Sequence, residues 1–381
     1  MRLFKKKAAD KNICAVQTAE SRYRRHPFGV LSDYSADCVQ YRLFETLRES
    51  VPLIDGALDK IVRLTGDFDV KCKSRVAQSA LRQFLKNVKV GANGRGIACF
   101  INSYLNQLLT YGTAVGEIVP YSDKSGIAAL YNASLDSVEL KCGDSPLDLL
   151  ICSRSGVGEA VPVKNPSLIL HTALNPAPDK AYGRSILRGL PFVSDILLKI
   201  FNAIGENWER VGNIRFAVSC SSDGANAKER AQQIARQWSL AMSDKEQTRD
   251  FVSVGDVSIK VIGADNQILD SEVPVRQLLE QIVAKLSVPP FLLGLSWSST
   301  ERMASQQCDI LTSELEWYRT LITPVIDKIC RTFLRMSGFE DSVEIEWSNI
   351  NLQDETELAQ ARLWRAQALE IEQRIKEGEV E

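Results

Sequence analysis

The chain has 381 residues, 45% of them apolar and 25% charged, with a net charge of −2, nine cysteines and two histidines. That length can bury a sizeable core in two or three domains, the composition excludes a disordered or fibrous chain, and near-neutrality excludes a surface given over wholly to phosphate neutralisation. The cysteines, at 14, 38, 72, 99, 142, 152, 220, 308 and 330, form no C-x-x-C pair, and no signal peptide precedes them, which predicts reduced thiols in a cytoplasm and no metal site.

Residues 1–45 are polar and basic. Arg2, Lys5, Lys6, Lys7, Lys11, Arg22, Arg24 and Arg25 stand against Asp10 and Glu20 in the first 25 positions, so an arm with a short helix near Val39 to Leu47 is expected. The opening MRLFKKK has no amphipathic stripe after it and reads as solvated rather than membrane-bound. No apolar run reaches the ~18 to 20 residues that cross a bilayer.

Three-and-four spacing then predicts helices over Pro52 to Leu64, over Val76 to Val88 with Val76, Ala80, Leu81, Phe84, Leu85 and Val88 on one face, and over Ile97 to Tyr111, the last closed by Gly112 as a C-terminal glycine. A short polar connection is expected after the first of these. Val115 to Tyr131 switches to a strand period and reads as a hairpin, with further strands over Ser137 to Lys141, Leu147 to Ser153 and Leu168 to Thr172. This is an α+β region.

Val193, Leu197, Ile200, Phe201, Ile204, Trp208 and Val211 predict a long helix within 183–212, buried or packed on another subunit. Residues 213–270 read as a compact insert: a strand at Ile214 to Val218, a helix at Ala225 to Met242, and a hairpin of Phe251 to Val254 with Val257 to Ile262 across Gly255-Asp256. Leu278, Leu279, Ile282, Val283 and Leu286 give a helix within 271–288, stopped by Pro289 and Pro290.

After the segment 289–300, Ser298 and Glu301 have capping-box spacing. A stripe of Ala304, Cys308, Leu311, Leu315, Tyr318, Ile322, Val325, Ile329 and Phe333 predicts a helix of roughly 35 residues, ~50 Å long, kinked at Pro324. The part after Gly338 is acidic. Val343, Ile345 and Trp347 alternate with acids as a half-buried strand within 338–353. Asp354 then caps a last helix over 354–381 with Leu358, Ala361, Trp364, Ala368 and Ile375 as its stripe.

Several stretches, in this order, resemble the portal proteins of tailed bacteriophages: YGTAVGEIVPY, YGRSILRGLPFVSDILLKIFNAIGENWERVGNIRFAVS, VPPFLLG, TERMASQQ, TLITPVIDKI and EIEWSNINLQDETELAQA. The resemblance runs from about residue 50 onward. It implies a flexible arm at 1–45, a wing of mixed α/β structure at 46–182, stem helices at 183–212 and 271–288 flanking a clip at 213–270, and a channel loop at 289–300. It further implies a long kinked spine helix at 301–337, a strand returning to the wing at 338–353 and a short helical crown at 354–381.

The same resemblance implies a ring of identical subunits, a dodecamer, at one capsid vertex of the virion, assembled in the host bacterial cytoplasm. Double-stranded DNA would pass through it. Its partners would be the terminase large subunit, the head-tail adaptor, and the major capsid and scaffold proteins. Gly294, Ser296, Trp297, Ser298 and Ser299 would form the channel loop, where small hydroxyls touch a moving duplex without gripping it, although Trp297 reads equally well as a packing anchor between subunits. Arg302, Lys199, Arg210, Arg215 and Lys260 are candidates for rings of positive charge in the lumen, against intersubunit ion pairs or a solvated face.

No catalytic signature is present. The phosphate-cradling G-x-x-x-x-G-K-[ST] loop is missing. The cluster Gly91-Ala92-Asn93-Gly94-Arg95-Gly96 precedes a helix but follows one too and lacks the lysine, so a flexible loop is expected there. Neither His26 nor His171 has a nucleophile beside it in sequence, and Glu344 and Glu346 read as water-facing. The chain is therefore expected to be no enzyme, with no cofactor. The rivals are a cytosolic α+β enzyme with a pocket between the 113–172 sheet and a neighbouring helix, and a channel-free helical scaffold or adaptor.

Overall fold

The computed structural model describes residues 36–143, 145, 148–154, 160–178, 180–212, 215–220, 232, 236, 257–262, 271–295, 300–350 and 355–376. In chain order the elements are α1 (Ala36–Ser50), α2 (Pro52–Leu64), β1 (Phe68–Cys72), α3 (Arg75–Asn87), β2 (Lys89–Val90), β3 (Gly94–Arg95) and α4 (Ile97–Tyr111). Strands β4 (Thr113–Pro120), β5 (Ile127–Asn132), β6 (Val138–Cys142), β7 (Leu149–Ser153), β8 (Val161–Pro162) and β9 (Ile169–Ala173) follow. The remainder is α5 (Leu190–Gly212), β10 (Arg215–Cys220), β11 (Val257–Ile262), α6 (Glu272–Leu286), α7 (Glu301–Met336), β12 (Val343–Trp347) and α8 (Glu355–Lys376). The fold is α+β, as the hydrophobic periods predict.

The chain divides into two units, Met1–Ser194 with Leu279–Glu381, and Asp195–Leu278. The first is built on a five-stranded sheet in the order β3-β2-β5-β4-β9, in which β4 pairs antiparallel with both β5 and β9. Helix α4 covers it with Phe100, Tyr104, Leu105 and Leu108, all essentially inaccessible. Gly116 of β4 lets the Phe100 ring approach, since a Cβ there would lie 2.8 Å from Phe100 Cζ. The buried Tyr104 hydroxyl donates to Thr172 Oγ1 at 2.9 Å, and burial pushes its pKa up. Alongside, β6, β7 and β8 form a three-stranded antiparallel sheet. Its Val138, Leu140 and Ile151 pack with Val115, Leu135 and Ile169.

Local chemistry explains the boundaries. Pro52 occupies the first turn of α2, where its missing N–H costs nothing. Gly112 takes φ 79° at the end of α4 and donates to Leu108 O at 2.8 Å, the left-handed closure expected of it. Helix α3 starts at Ser74, whose backbone N–H donates to Asp341 Oδ2 at 2.7 Å across 267 residues of sequence. Bonds from Ser74, Ser342 and Lys73 hold the Asp341 carboxyl below its ordinary range.

Four expectations need correction. The connection after α2 contains β1, which pairs antiparallel with β12 from Phe68↔Trp347 to Cys72↔Val343; the short apolar alternation of FDVKC gives little signal by itself. Val76 is 68% exposed, because α3 turns Ala77, Leu81 and Leu85 inward. The glycine cluster after α3 is a tight hairpin in place of a flexible loop. Its β2 and β3 pair with each other, and the N–H groups of Gly91 and Gly96 donate to Leu130 O and Val88 O, which leaves these two unavailable to an anion. Within 183–212 the helix begins only at Leu190; Gly183 instead packs its backbone against Gly112.

In the second unit, β10 and β11 pair antiparallel from Arg215↔Ile262 to Cys220↔Val257, so the strand over 257–262 appears as expected. Its expected partner at 251–254 lies outside the described residues. Of the helix expected over 225–242, Gln232 and Arg236 are described, and both are helical.

The thiols give a direct check on this packing. Cys330 is wholly buried and its thiol is pushed up to about 12 by desolvation, whereas Cys99 and Cys142 are exposed. Brief iodoacetamide treatment of the native protein, followed by peptide mapping, should alkylate Cys99 and Cys142 and spare Cys152 and Cys330 until denaturant is added. Early alkylation of Cys330 would contradict the placement of α7.

Candidate functional site

The candidate segment lies between α6 and α7. Ile282, Val283 and Leu286 anchor the end of α6 in the core, and Ser287 turns the chain at φ 54°. Pro289 and Pro290 then prevent the helix from resuming. Residues Pro290–Leu293 make one 3₁₀ turn closed by Gly294 at φ 78°, and Leu295 N–H donates to Pro290 O at 3.0 Å. The chain is thereby turned sharply before α7 begins. The N-cap of α7 is Thr300, whose Oγ1 accepts from Met303 N–H at 3.3 Å, in place of the capping box expected from Ser298.

Helix α7 is 36 residues long and carries Pro324 inside it. Its stripe is nearly the predicted one: Cys308, Leu311, Leu315, Tyr318, Ile322, Val325 and Ile329 are buried, with Ile326, Cys330 and Leu334 added. Phe333 stacks on Phe84 of α3 with ring centroids 4.2 Å apart. Toward the start of the helix Met303 and Ile310 are exposed, 49% and 61%.

Of the predicted loop residues, Gly294 is exposed at the turn; Ser296, Trp297, Ser298 and Ser299 lie outside the described residues. Arg302 is exposed in the first turn of α7. Lys199 forms an exposed ion pair with Asp195 at 2.6 Å along α5, so its charge is partly offset within the subunit. Arg210 lies in α5, Arg215 opens β10, and Lys260 of β11 stands opposite Ala217.

A different arginine, Arg319, was not distinguished by the sequence. It is 7% exposed and donates from Nε to Thr65 O at 2.8 Å, with its guanidinium carbon 5.0 Å from the centre of the Trp347 ring. In sequence it sits beside Tyr318 in the α7 stripe and reads as an ordinary flanking charge.

A concavity of about 700 Å³ opens among α1, α2, α4 and residues 131–136. Among its lining residues Arg48 donates to Asp55 Oδ1 at 2.7 Å and to Thr110 Oγ1 at 2.8 Å and also pairs with Asn106. Tyr111 pairs with Glu45, and burial together with that carboxylate raises the phenol pKa. These contacts tie α1 and α2 to α4. The residues lining the cleft include no histidine or cysteine, and Arg48 and Arg63 both pair with Asp59 at its edge.

The sequence matches no family model and no curated protein. The fold is similar to solved chains from the neck and the virion of gene transfer agent (GTA) particles. In the neck of an empty GTA particle computed with C6 symmetry the TM-score is 0.60 and the identity 16%, covering 88% of this chain and 93% of that one. In the neck of a native GTA particle computed with C12 symmetry the values are 0.59 and 15%, over 85% and 88%. An HK97 family phage portal protein from Corynebacterium diphtheriae aligns at 0.40 and 10% identity over 78% of this chain and 92% of that chain, too distant to establish a common fold. The fold shared with the GTA neck chains extends over most of both chains.

Proposed function

We propose that this chain is a phage portal subunit, one of a ring at a single vertex of the capsid through which double-stranded DNA is packaged and later released. The observation that carries the reading is the fold shared, over 85% of this chain, with a chain from a neck computed with C12 symmetry. A ring of twelve in the virion, assembled in the host cytoplasm, follows as the arrangement to test.

The uncovered apolar surface supports assembly. On α5, Phe201 is 46% and Trp208 64% exposed, about two turns apart and so on one face. On α8, Leu363, Trp364, Leu369, Ile371 and Ile375 are all more than half exposed. Aromatic side chains left in water along helices are what a subunit presents to its neighbours.

In this reading the mechanism is structural. Helices α5 and α6 belong to the stem, the segment 289–300 narrows the channel, and the strands between the stem helices offer the clip surface to the terminase large subunit and then to the head-tail adaptor. The wing faces the major capsid and scaffold proteins. Trp297, Ser298 and Ser299 would touch the duplex weakly, as passage requires, because tight multivalent phosphate contacts would stall it. Arg302, Lys199, Arg210, Arg215 and Lys260 would add positive charge around the lumen.

Deleting Trp297 to Ser299 tests the channel role. Rings of normal diameter should still form by electron microscopy, while the DNA retained per particle in a packaging assay falls several-fold. Normal packaging and retention would remove the segment from the mechanism.

A further inference from the structure

Pro324 leaves α7 with a weak point. It supplies no N–H to the carbonyl of Thr320, and its ring crowds that carbonyl. The threonines beside it loosen the same turn, because Thr320 Oγ1 donates to Glu316 O at 3.0 Å and Thr323 Oγ1 to Arg319 O at 2.7 Å, a pattern that bends helices. That turn therefore has one backbone hydrogen bond fewer than the rest of α7.

The surroundings of Arg319 provide what the backbone lacks. Its Nε–H donates to Thr65 O, the C-cap of α2, where the helix dipole favours a cation. The Trp347 ring, at the end of β12, lies against the guanidinium, and its Nε1–H donates to Thr323 Oγ1 at 3.0 Å, one residue before Pro324. Phe68 of β1 backs the tryptophan with ring centroids 5.3 Å apart. Gly66, at φ 76°, leaves room for the guanidinium, since a Cβ there would lie 3.0 Å from Nη2.

Among the described residues no carboxylate forms an ion pair with Arg319, so a buried cation is held here by a carbonyl, a helix end and an aromatic face. A buried charge without a paired acid is costly. Packing alone would be served as well by methionine or leucine. The guanidinium adds a directed link from α7 to α2 and, through Trp347, to Thr323 inside the weak turn.

We propose that Arg319 is a positioning residue whose contacts with Thr65 and Trp347 steady the turn of α7 that Pro324 weakens. The consequence for function rests on the portal reading: a steadied turn would keep α7, the proposed spine helix, in one shape in every subunit.

Hydrogen exchange by mass spectrometry on the full chain tests this with Arg319→Met, Arg319→Lys and the double variant Arg319→Met/Pro324→Ala. In Arg319→Met, amides of 321–328 should exchange roughly tenfold faster, as loss of a charge-assisted hydrogen bond implies, while those of α4 and β4 keep their protection. Lysine should recover part of the protection. Alanine at 324 restores the N–H that Thr320 O lacks and should recover most of it even without the arginine.

Unchanged exchange over 321–328 in Arg319→Met would overturn the proposal. So would loss of protection throughout α4 and β4, or no recovery with Pro324→Ala, either of which would make Arg319 a general packing residue. Exchange is read whether or not the chain assembles, so failure here is separable from failure of the portal reading.

Discussion

Replacing Phe201 and Trp208 by glutamate should abolish ring assembly and leave the subunit folded. Both side chains are exposed in the single chain, Phe201 by 46% and Trp208 by 64%, so the substitutions remove little that the isolated fold uses. In a ring they would be covered. Burying an aromatic side chain contributes ~2 to 3 kcal/mol, and an unpaired carboxylate in its place adds a desolvation penalty, repeated at every interface around the ring. Trp364→Glu with Ile371→Glu on α8 should act in the same direction. Light scattering after size exclusion should show monomers with an unchanged circular dichroism melt; rings at the wild-type concentration would exclude these faces from the subunit contacts.

The second large effect is on folding. Gly183→Ala should prevent recovery of soluble protein, or lower its stability by at least ~3 kcal/mol, because overpacking against main chain has no rotamer escape. A Cβ on Gly183 would stand 2.0 Å from Gly112 O and 2.4 Å from Leu174 N. The same backbone atoms are engaged: Leu174 N–H donates to Gly112 O at 2.7 Å and Arg184 N–H to Leu174 O at 2.6 Å. The segment entering α5 is thus locked onto the end of α4 and β9. Gly56→Ala is the contrasting case. That glycine lies inside α2 with nothing within 4 Å of a Cβ, and the change should stabilise by ~0.5 to 1 kcal/mol. Urea melts of the two variants beside the parent chain decide both, and equal stabilities would contradict the packing described here.

These two glycines also mark what sequence could and could not disclose. Helices whose partners lie close in the chain announced themselves by period: Pro52–Leu64 and Ile97–Tyr111 end where their proline and glycine signals place them. Helix α7 did so because its stripe is long enough to average out local exceptions such as Pro324. The Gly183 contact left no trace, because a close approach of two backbones has no periodicity. Strand β1 was missed for a related reason: its partner β12 is far away in the chain, and only Phe68 and Val70 of its five residues are clearly apolar.

The candidate site was legible to a lesser degree. The helix, proline turn and long helix around residues 289–300 follow from Pro289, Pro290 and Gly294. The side chains expected to meet DNA at 296–299 lie outside the described residues, and the proposed basic residues depend on neighbours that one chain does not contain. Arg319 was invisible because its burial is decided by Thr65 and Trp347, both far along the chain or on another element. A charged residue next to an apolar stripe usually faces water, and only tertiary structure distinguishes the exception.

Electron microscopy of the purified full-length chain, with class averages viewed down the symmetry axis, tests the central claim most directly. A portal subunit should give rings with a central opening wide enough for duplex DNA, about 20 Å across on the scale set by its grooves. Compact particles without an opening, persisting at high protein concentration and with scaffold and capsid protein present, would contradict it.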